Sequence, residues 1–281
     1  MVVHPALPEI TLSSTAVRLR RPSTIFRVAD RTGIRNVDLD LSDSAVLGRT
    51  NDMRAAVAGF HGVIRTVWLP RSPLPTIWTG SNVHHEALEV VRQSGARVLL
   101  RMPVASPAGV NRIAITSLTE PVRGHLYGCS RITVVLDRRW TAGGRMPLVQ
   151  MTALRRLAEE WDFEIGVDLT GRLDPTWETE AAILRLGQRL VYLRIASLPT
   201  AGQVSNARDR ISARALAAAC ESGSLRTVSL APAGPAWQHL AVGLASDACT
   251  ALADRVNARQ KSWRDEHMPD RSVIDRAHWR G

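Results

Sequence analysis

Short apolar runs bounded by turn residues recur roughly every 25 to 40 residues, and between them the apolar positions are spaced as on one face of a helix. The runs predict strands at Glu9–Ser13, Asn36–Leu41, Ile64–Leu69, Arg97–Met102, Ile132–Leu136, Phe163–Leu169, Leu190–Ala196 and Leu225–Leu230. Ala16–Arg21, AVRLRR, is an alternative first strand. Pro22 opens a helix whose apolar face holds Ile25, Phe26, Val28 and Ala29 and which Gly33 ends. Asp52 caps a short helix that runs to Phe60. Further helices are expected at His84–Ser94, Val110–Leu118, Val149–Trp161, Trp177–Arg189, Ser212–Ser222 and Gln238–Arg259, with Gly95 and Gly223 as stops.

A strand, a helix and a second strand close behind it form a right-handed crossover, which makes the two strands parallel. Phe163–Gly202 shows that unit most clearly, and the rest of the chain repeats it. Eight repeats predict an α/β fold of the (β/α)8 TIM-barrel type, one domain over residues 1–260, followed by a charged tail at 261–281. An open doubly wound sheet would carry a glycine fingerprint for phosphate after its first strand, and ITLSSTAVR has none. The Pro- and Trp-containing loop Arg71–Asn82 reads as a packed lid.

Charge adds a preference for anions. The net charge is +10, and of the 36 basic residues all but Lys261 are Arg. These Arg are scattered singly or in pairs, with no run of five, which disfavours a nucleic-acid surface. Cys129, Cys220 and Cys249 are odd in number and far apart, as expected of reduced thiols in a cytoplasmic protein. No leader-like N-terminus and no apolar run of membrane-spanning length is present.

In a (β/α)8 barrel the site lies at the C-terminal ends of the strands. The polar residues expected there are Ser13, Ser14, Asp38, Asp40, Arg71, Arg101, Asp137 with Arg138 and Arg139, Asp168, Thr170, Arg172, Arg194 and Ser197. Two readings stand side by side. The Asp and Arg side chains pair with one another at the rim, since buried charges must be paired. Alternatively, Arg forks clamp a phosphate or carboxylate. Schiff-base chemistry is excluded because the single Lys lies beyond the last helix. No GxSxG, HExxH or P-loop occurs, and His84–His85 read as surface or capping residues.

With the strands so placed, GIRNVDLDL (Gly33–Leu41), QSGARVLLR (Gln93–Arg101), ITVVLD (Ile132–Asp137) and the Phe163–Gly202 stretch make the chain resemble the xylose isomerase-like barrels, the sugar-phosphate isomerase/epimerase superfamily. The resemblance implies a divalent metal held by an acid at the end of strand five, an Asp after strand six within DTGH, a His after strand seven within HxxD and a Glu from strand eight. Here Asp137 stands at the first position, LTGR (Leu169–Arg172) replaces DTGH, RIAS (Arg194–Ser197) replaces HxxD, and Ala231 stands for the Glu. Strand alternation turns Asp168 away from the mouth unless a bulge intervenes. The expectation is therefore a degenerate member with no metal and no cofactor. It would be a non-catalytic binding or scaffold protein with an Arg-lined mouth for an anionic sugar or phosphate, and the Trp-containing tail reads as a helix folded back on the barrel or a disordered end, with contact to a protein partner as the alternative. The alternative is an active, metal-independent sugar or sugar-phosphate isomerase with Asp137 as base and Arg101, Arg172, Arg194 and Asp40 binding substrate. Nucleic-acid processing of the endonuclease IV type, which shares the fold, is a remote third reading.

Overall fold

The structure is a computed structural model and describes residues 8–16, 23–32, 35–41, 55–70, 82–102, 112–126, 131–136, 148–170, 178–196 and 207–231. Eight strands close into one all-parallel barrel in sequence order. They are β1 (Glu9–Ser13), β2 (Asn36–Asp40), β3 (Val63–Trp68), β4 (Arg97–Arg101), β5 (Ile132–Leu136), β6 (Glu164–Asp168), β7 (Leu190–Ile195) and β8 (Thr227–Leu230). The described helices are α1 (Ser23–Thr32), α2 (Asn82–Ser94), α3 (Arg112–Leu126), α4 (Leu148–Glu160), α5 (Thr179–Leu186) and α6 (Ala207–Glu221), with a single helical turn at 55–58 before β3. The sequence thus predicts the (β/α)8 class and the place of every strand. Its last helix, Gln238–Arg259, the tail at 261–281, the lid residues 71–81 and residues 17–21 of the alternative strand lie outside the described residues.

Two layers of side chains hold the strands. Outward-facing residues such as Val37, Leu39, Val67 and Val98 pack under α1 and α2, and Val134, Ile165, Val167 and Leu193 pack under α4, α5 and α6. Each such fully buried aliphatic side chain is worth about 1.5–3 kcal/mol relative to exposure. Inward-facing residues alternate with them. Trp68, Leu99, Val135 and Tyr192 form the apolar part of the interior, with the Trp68 and Tyr192 rings edge to face at 5.9 Å. Gly166 makes room for this packing, because a Cβ there would come within 2.9 Å of Tyr192 Cδ1 and 3.0 Å of Val135 Cγ2.

Two helices run longer than their sequence patterns predict. The segment 110–118 is expected to stop before Pro121, yet α3 continues to Leu126. The proline removes one backbone donor, but Ile115, Thr119, Val122 and Leu126 continue a buried stripe across it, and tertiary packing outweighs local propensity. Helix α6 likewise begins at Ala207, not at Ser212. The stop after α2 follows the prediction, with Gly95 at φ 63°, a left-handed conformation that glycine adopts without strain.

Candidate functional site

The interior is built in two polar storeys. The lower storey centres on Asp38, which is fully buried. Its carboxylate accepts from Thr66 Oγ1 at 2.7 Å, Trp68 Nε1 at 3.3 Å, Tyr192 OH at 2.8 Å and Ser229 Oγ at 2.6 Å. Parallel register explains this convergence, since Asp38 sits opposite Thr66, and Tyr192 and Ser229 lie on adjoining strands. Four donors on two oxygens satisfy a charge that burial alone would make prohibitive. Burial, then the Asp38 charge, pushes the Tyr192 hydroxyl well above its ordinary pKa, so the phenol stays a donor.

The upper storey centres on Arg194, 3% exposed. Its Nη1 lies 3.3 Å from Asp40 Oδ2 and 3.7 Å from Asp168 Oδ2. Its Nη2 donates to Ser13 Oγ at 2.7 Å and to Thr15 Oγ1. Thr15 reaches it because the chain tightens into a 3₁₀ turn, Ser14–Ala16, directly after β1. The same turn places Ser14 Oγ to accept from the Asp40 backbone N–H at 2.7 Å. Arg101 Nη2 shares Asp40 Oδ2 at 3.3 Å. Both guanidiniums stack on Trp68, at 4.7 Å for Arg101 and 4.9 Å for Arg194. Burial would lower the pKa of Arg194, but the Asp168, Asp40 and Asp38 carboxylates outweigh it and hold the guanidinium charged.

Among the predicted site residues, Asp40, Arg101 and Arg194 meet here, whereas Asp137 and Arg172 lie outside the described residues. Asp38, expected at the rim, sits one storey lower. Asp168 requires a correction. It faces inward, on the same side of β6 as Gly166, and Leu169 turns outward into the layer beneath the helices. The phase of β6 is set by that outward leucine and by the glycine that admits Tyr192. The β6–β7 register does shift between Ile165 and Gly166, ahead of the site. Asp168 is held by the Thr170 backbone N–H at 2.9 Å and its hydroxyl at 2.6 Å. The sequence reading gives no site role to Trp68, Tyr192 or Thr15. Parity along VIRTVW, which puts Thr66 and Trp68 on one face, is the signal that finds the first.

The charges of the described mouth balance, Asp40 and Asp168 against Arg101 and Arg194. A dication fits poorly here. Among the described residues no three His, Cys, Asp or Glu side chains are grouped to hold one. The inward position at the end of β7 already carries a buried positive charge, and a dication would be repelled by it.

No protein-family model matches the sequence, and no curated protein matches it significantly. Solved structures do resemble it. A D-allulose 3-epimerase from Methylomonas sp. superposes with TM-score 0.62 at 13% identity, over 90% of this chain and 100% of that one. The chain shares its fold with sugar epimerases. A 3-keto-D-glucoside 4-epimerase from E. coli gives TM-score 0.56 at 12% identity over 88% of this chain and 99% of that one. A xylose isomerase domain protein from Alicyclobacillus acidocaldarius gives 0.55 at 18% over 90% and 100%. The barrel expected from GIRNVDLDL and the Phe163–Gly202 stretch is thus the fold found, and these sugar epimerases and the xylose isomerase domain protein share it. No described helix is long and apolar enough to cross a membrane.

Proposed function

We propose that this chain is a xylose isomerase-like barrel that has exchanged the metal-dependent chemistry of sugar epimerases for binding, and that it holds a sugar or sugar phosphate at its mouth without turning it over. One observation carries the reading: the Arg194 guanidinium lies between Asp40 and Asp168, where it neutralises two carboxylates that would otherwise attract a cation. Arginine cannot ligate a metal. The fixed cation is locked by Ser13, Thr15 and the Trp68 face, so moving it aside would strand buried charge.

The test is a calorimetric titration of purified protein, first stripped of metal, with manganese, cobalt and zinc. The expected outcome is no stoichiometric binding for any of them. Tight one-to-one binding that Arg194→Met abolishes or strengthens would overturn the reading, because either result places a metal beside residue 194. Thermal shift against neutral sugars and sugar phosphates then identifies the ligand class.

A second reading rests on the same guanidinium. A buried, charge-locked Arg at the C-terminal end of the barrel would stabilise an enediolate-like oxyanion without a metal, with Asp137 as the proton-transfer base. Proton exchange into a bound sugar from deuterated water, followed by NMR, separates this reading from the first. Exchange lost in Asp137→Asn supports catalysis, and no exchange supports binding alone.

A further inference from the structure

At the opposite end of the barrel the scattered arginines come together. Because all eight strands are parallel, their starts lie at one end, and six of them carry an Arg at or close to that start: Arg35 before β2, Arg65 third in β3, Arg97 at the head of β4, Arg131 before β5, Arg189 before β7 and Arg226 before β8. Backbone bonds tie these starts to their neighbours, Arg35 to Val63, Arg131 to Val98 and Arg226 to Glu9. The register shift between β2 and β3 leaves Arg65 as an extra residue and directs it to Glu9 at 2.9 Å and to Asn36. On the floor of the barrel Glu164 faces three guanidiniums. Arg97 makes a direct ion pair, while Arg131 and Arg226 stand off at 3.8 and 3.7 Å.

Among the described residues this end carries more positive charge than it neutralises. Against the six Arg stand Glu9, Glu164 and Asp162, the last paired with Arg189 at 3.0 Å. By sequence, the final turns of the described helices hold four acids (Asp30, Glu159, Glu160, Glu221) and four bases (Arg31, Arg92, Arg123, Arg185), equal in number. The excess sits on accessible groups, since the side chains of Arg131 and Arg226 are 63% and 51% exposed. Val63, one of two large hydrophobic residues exposed among the described residues, lies among them at the head of β3.

We infer that this N-terminal face docks an acidic segment of a partner protein, with Arg131 and Arg226 as its principal contacts. Arginine forks pair bidentately with carboxylates and are enriched at protein interfaces around apolar anchors. The two ends of the sequence carry no net acidic charge to match this face. Met1–Leu7 holds no acid, and residues 232–281 hold seven bases against six acids. Nucleic acid fits less well. Glu9 and Glu164 interrupt the charge, and among the described residues no Phe, Tyr or Trp is exposed, which leaves His61 as the one exposed aromatic side chain at this end.

The experiment measures binding of labelled poly-L-glutamate by fluorescence anisotropy at low and at moderate salt, with duplex and single-stranded DNA of matched charge alongside. Salt-sensitive binding of poly-glutamate is expected. It should fall about tenfold in Arg131→Glu/Arg226→Glu, the size anticipated when two exposed ion pairs become repulsions. In Arg131→Gln/Arg226→Gln it should fall by about half that on a logarithmic scale. A control with the same change of net charge, Arg27→Glu/Arg214→Glu on the exposed faces of α1 and α6, should lose less than half the affinity. Circular dichroism melts show that each variant is folded. Absence of binding by the parent protein, an equal loss in the control, or DNA binding that is tighter and depends on Arg131 and Arg226, would each overturn the proposal.

Discussion

Replacing Arg194 by Met removes one charge and nearly conserves length and volume. The stacking on Trp68 changes little, because a thioether against an aromatic ring contributes about 0.3–1.5 kcal/mol, close to the cation–π contact it replaces. Ser13 Oγ and Thr15 Oγ1 lie 3.0 Å apart and satisfy one another once the guanidinium is gone. The cost therefore falls on the carboxylates. Asp40 and Asp168 are each less than a tenth exposed, and both lose their Arg194 partner. Breaking a buried pair by removing one member typically costs about 3–5 kcal/mol. For a chain of this size that lowers Tm by roughly 6–10 °C, at about 2 °C per kcal/mol. Urea unfolding of Arg194→Met, Asp40→Asn and the double variant measures the cost and the coupling together. The double variant should be more stable than the sum of the single changes predicts, by about 1–3 kcal/mol. Additivity within about 0.5 kcal/mol, or a cost for Arg194→Met below about 1 kcal/mol, would refute the claim that this guanidinium neutralises the mouth.

Gly166→Ala introduces a methyl group 2.9 Å from Tyr192 Cδ1 and should destabilise by about 1–3 kcal/mol through overpacking, read as a lower urea midpoint with an unchanged slope. Tyr192 is neutral in the fold and its pKa is raised, so its contribution is complete below the ordinary tyrosine value near 10 and is lost as pH climbs through the folded value. Alkaline titration by tyrosinate absorbance should accordingly show a late step for Tyr192 that coincides with unfolding. Tyr192→Phe should abolish that step and cost about 1–2 kcal/mol at neutral pH, since Asp38 loses one of its donors.

The barrel was legible because its evidence is local and periodic. GIRNVDLDL and ITVVLD declare buried strands by their own alternation, and helices of ordinary length separate them. Phase was harder. Whether Asp168 or Leu169 faces the interior depends on which helix needs a leucine and on where the Tyr192 ring lies, both facts of tertiary packing. The extension of α3 past Pro121 has the same origin. The arginine ring escaped notice for a different reason. Spread along the chain, its members look like isolated surface charges. Their common place at the heads of GIRNV, VIRTV, GARVL, SRITV, QRLVY and LRTVS acquires meaning once parallel strands bring those heads to one end.

Asp38 has a consequence for how the chain reaches this state. Its hydroxyl and indole donors lie 28, 30, 154 and 191 residues away, on β3, β7 and β8. A half-barrel ending at β4 would bring two of them and leave the carboxylate beside Trp68 and Leu99 with its other lone pairs unmet. Such an intermediate has no dry interior to offer, because the aspartate draws water in until the eighth strand docks. Closure is then a single late event over contacts of very long sequence separation, which predicts slow folding and discourages stable fragments. The carboxylate acts as a gatekeeper of completion, tolerated in the finished ring and disruptive in every unfinished one.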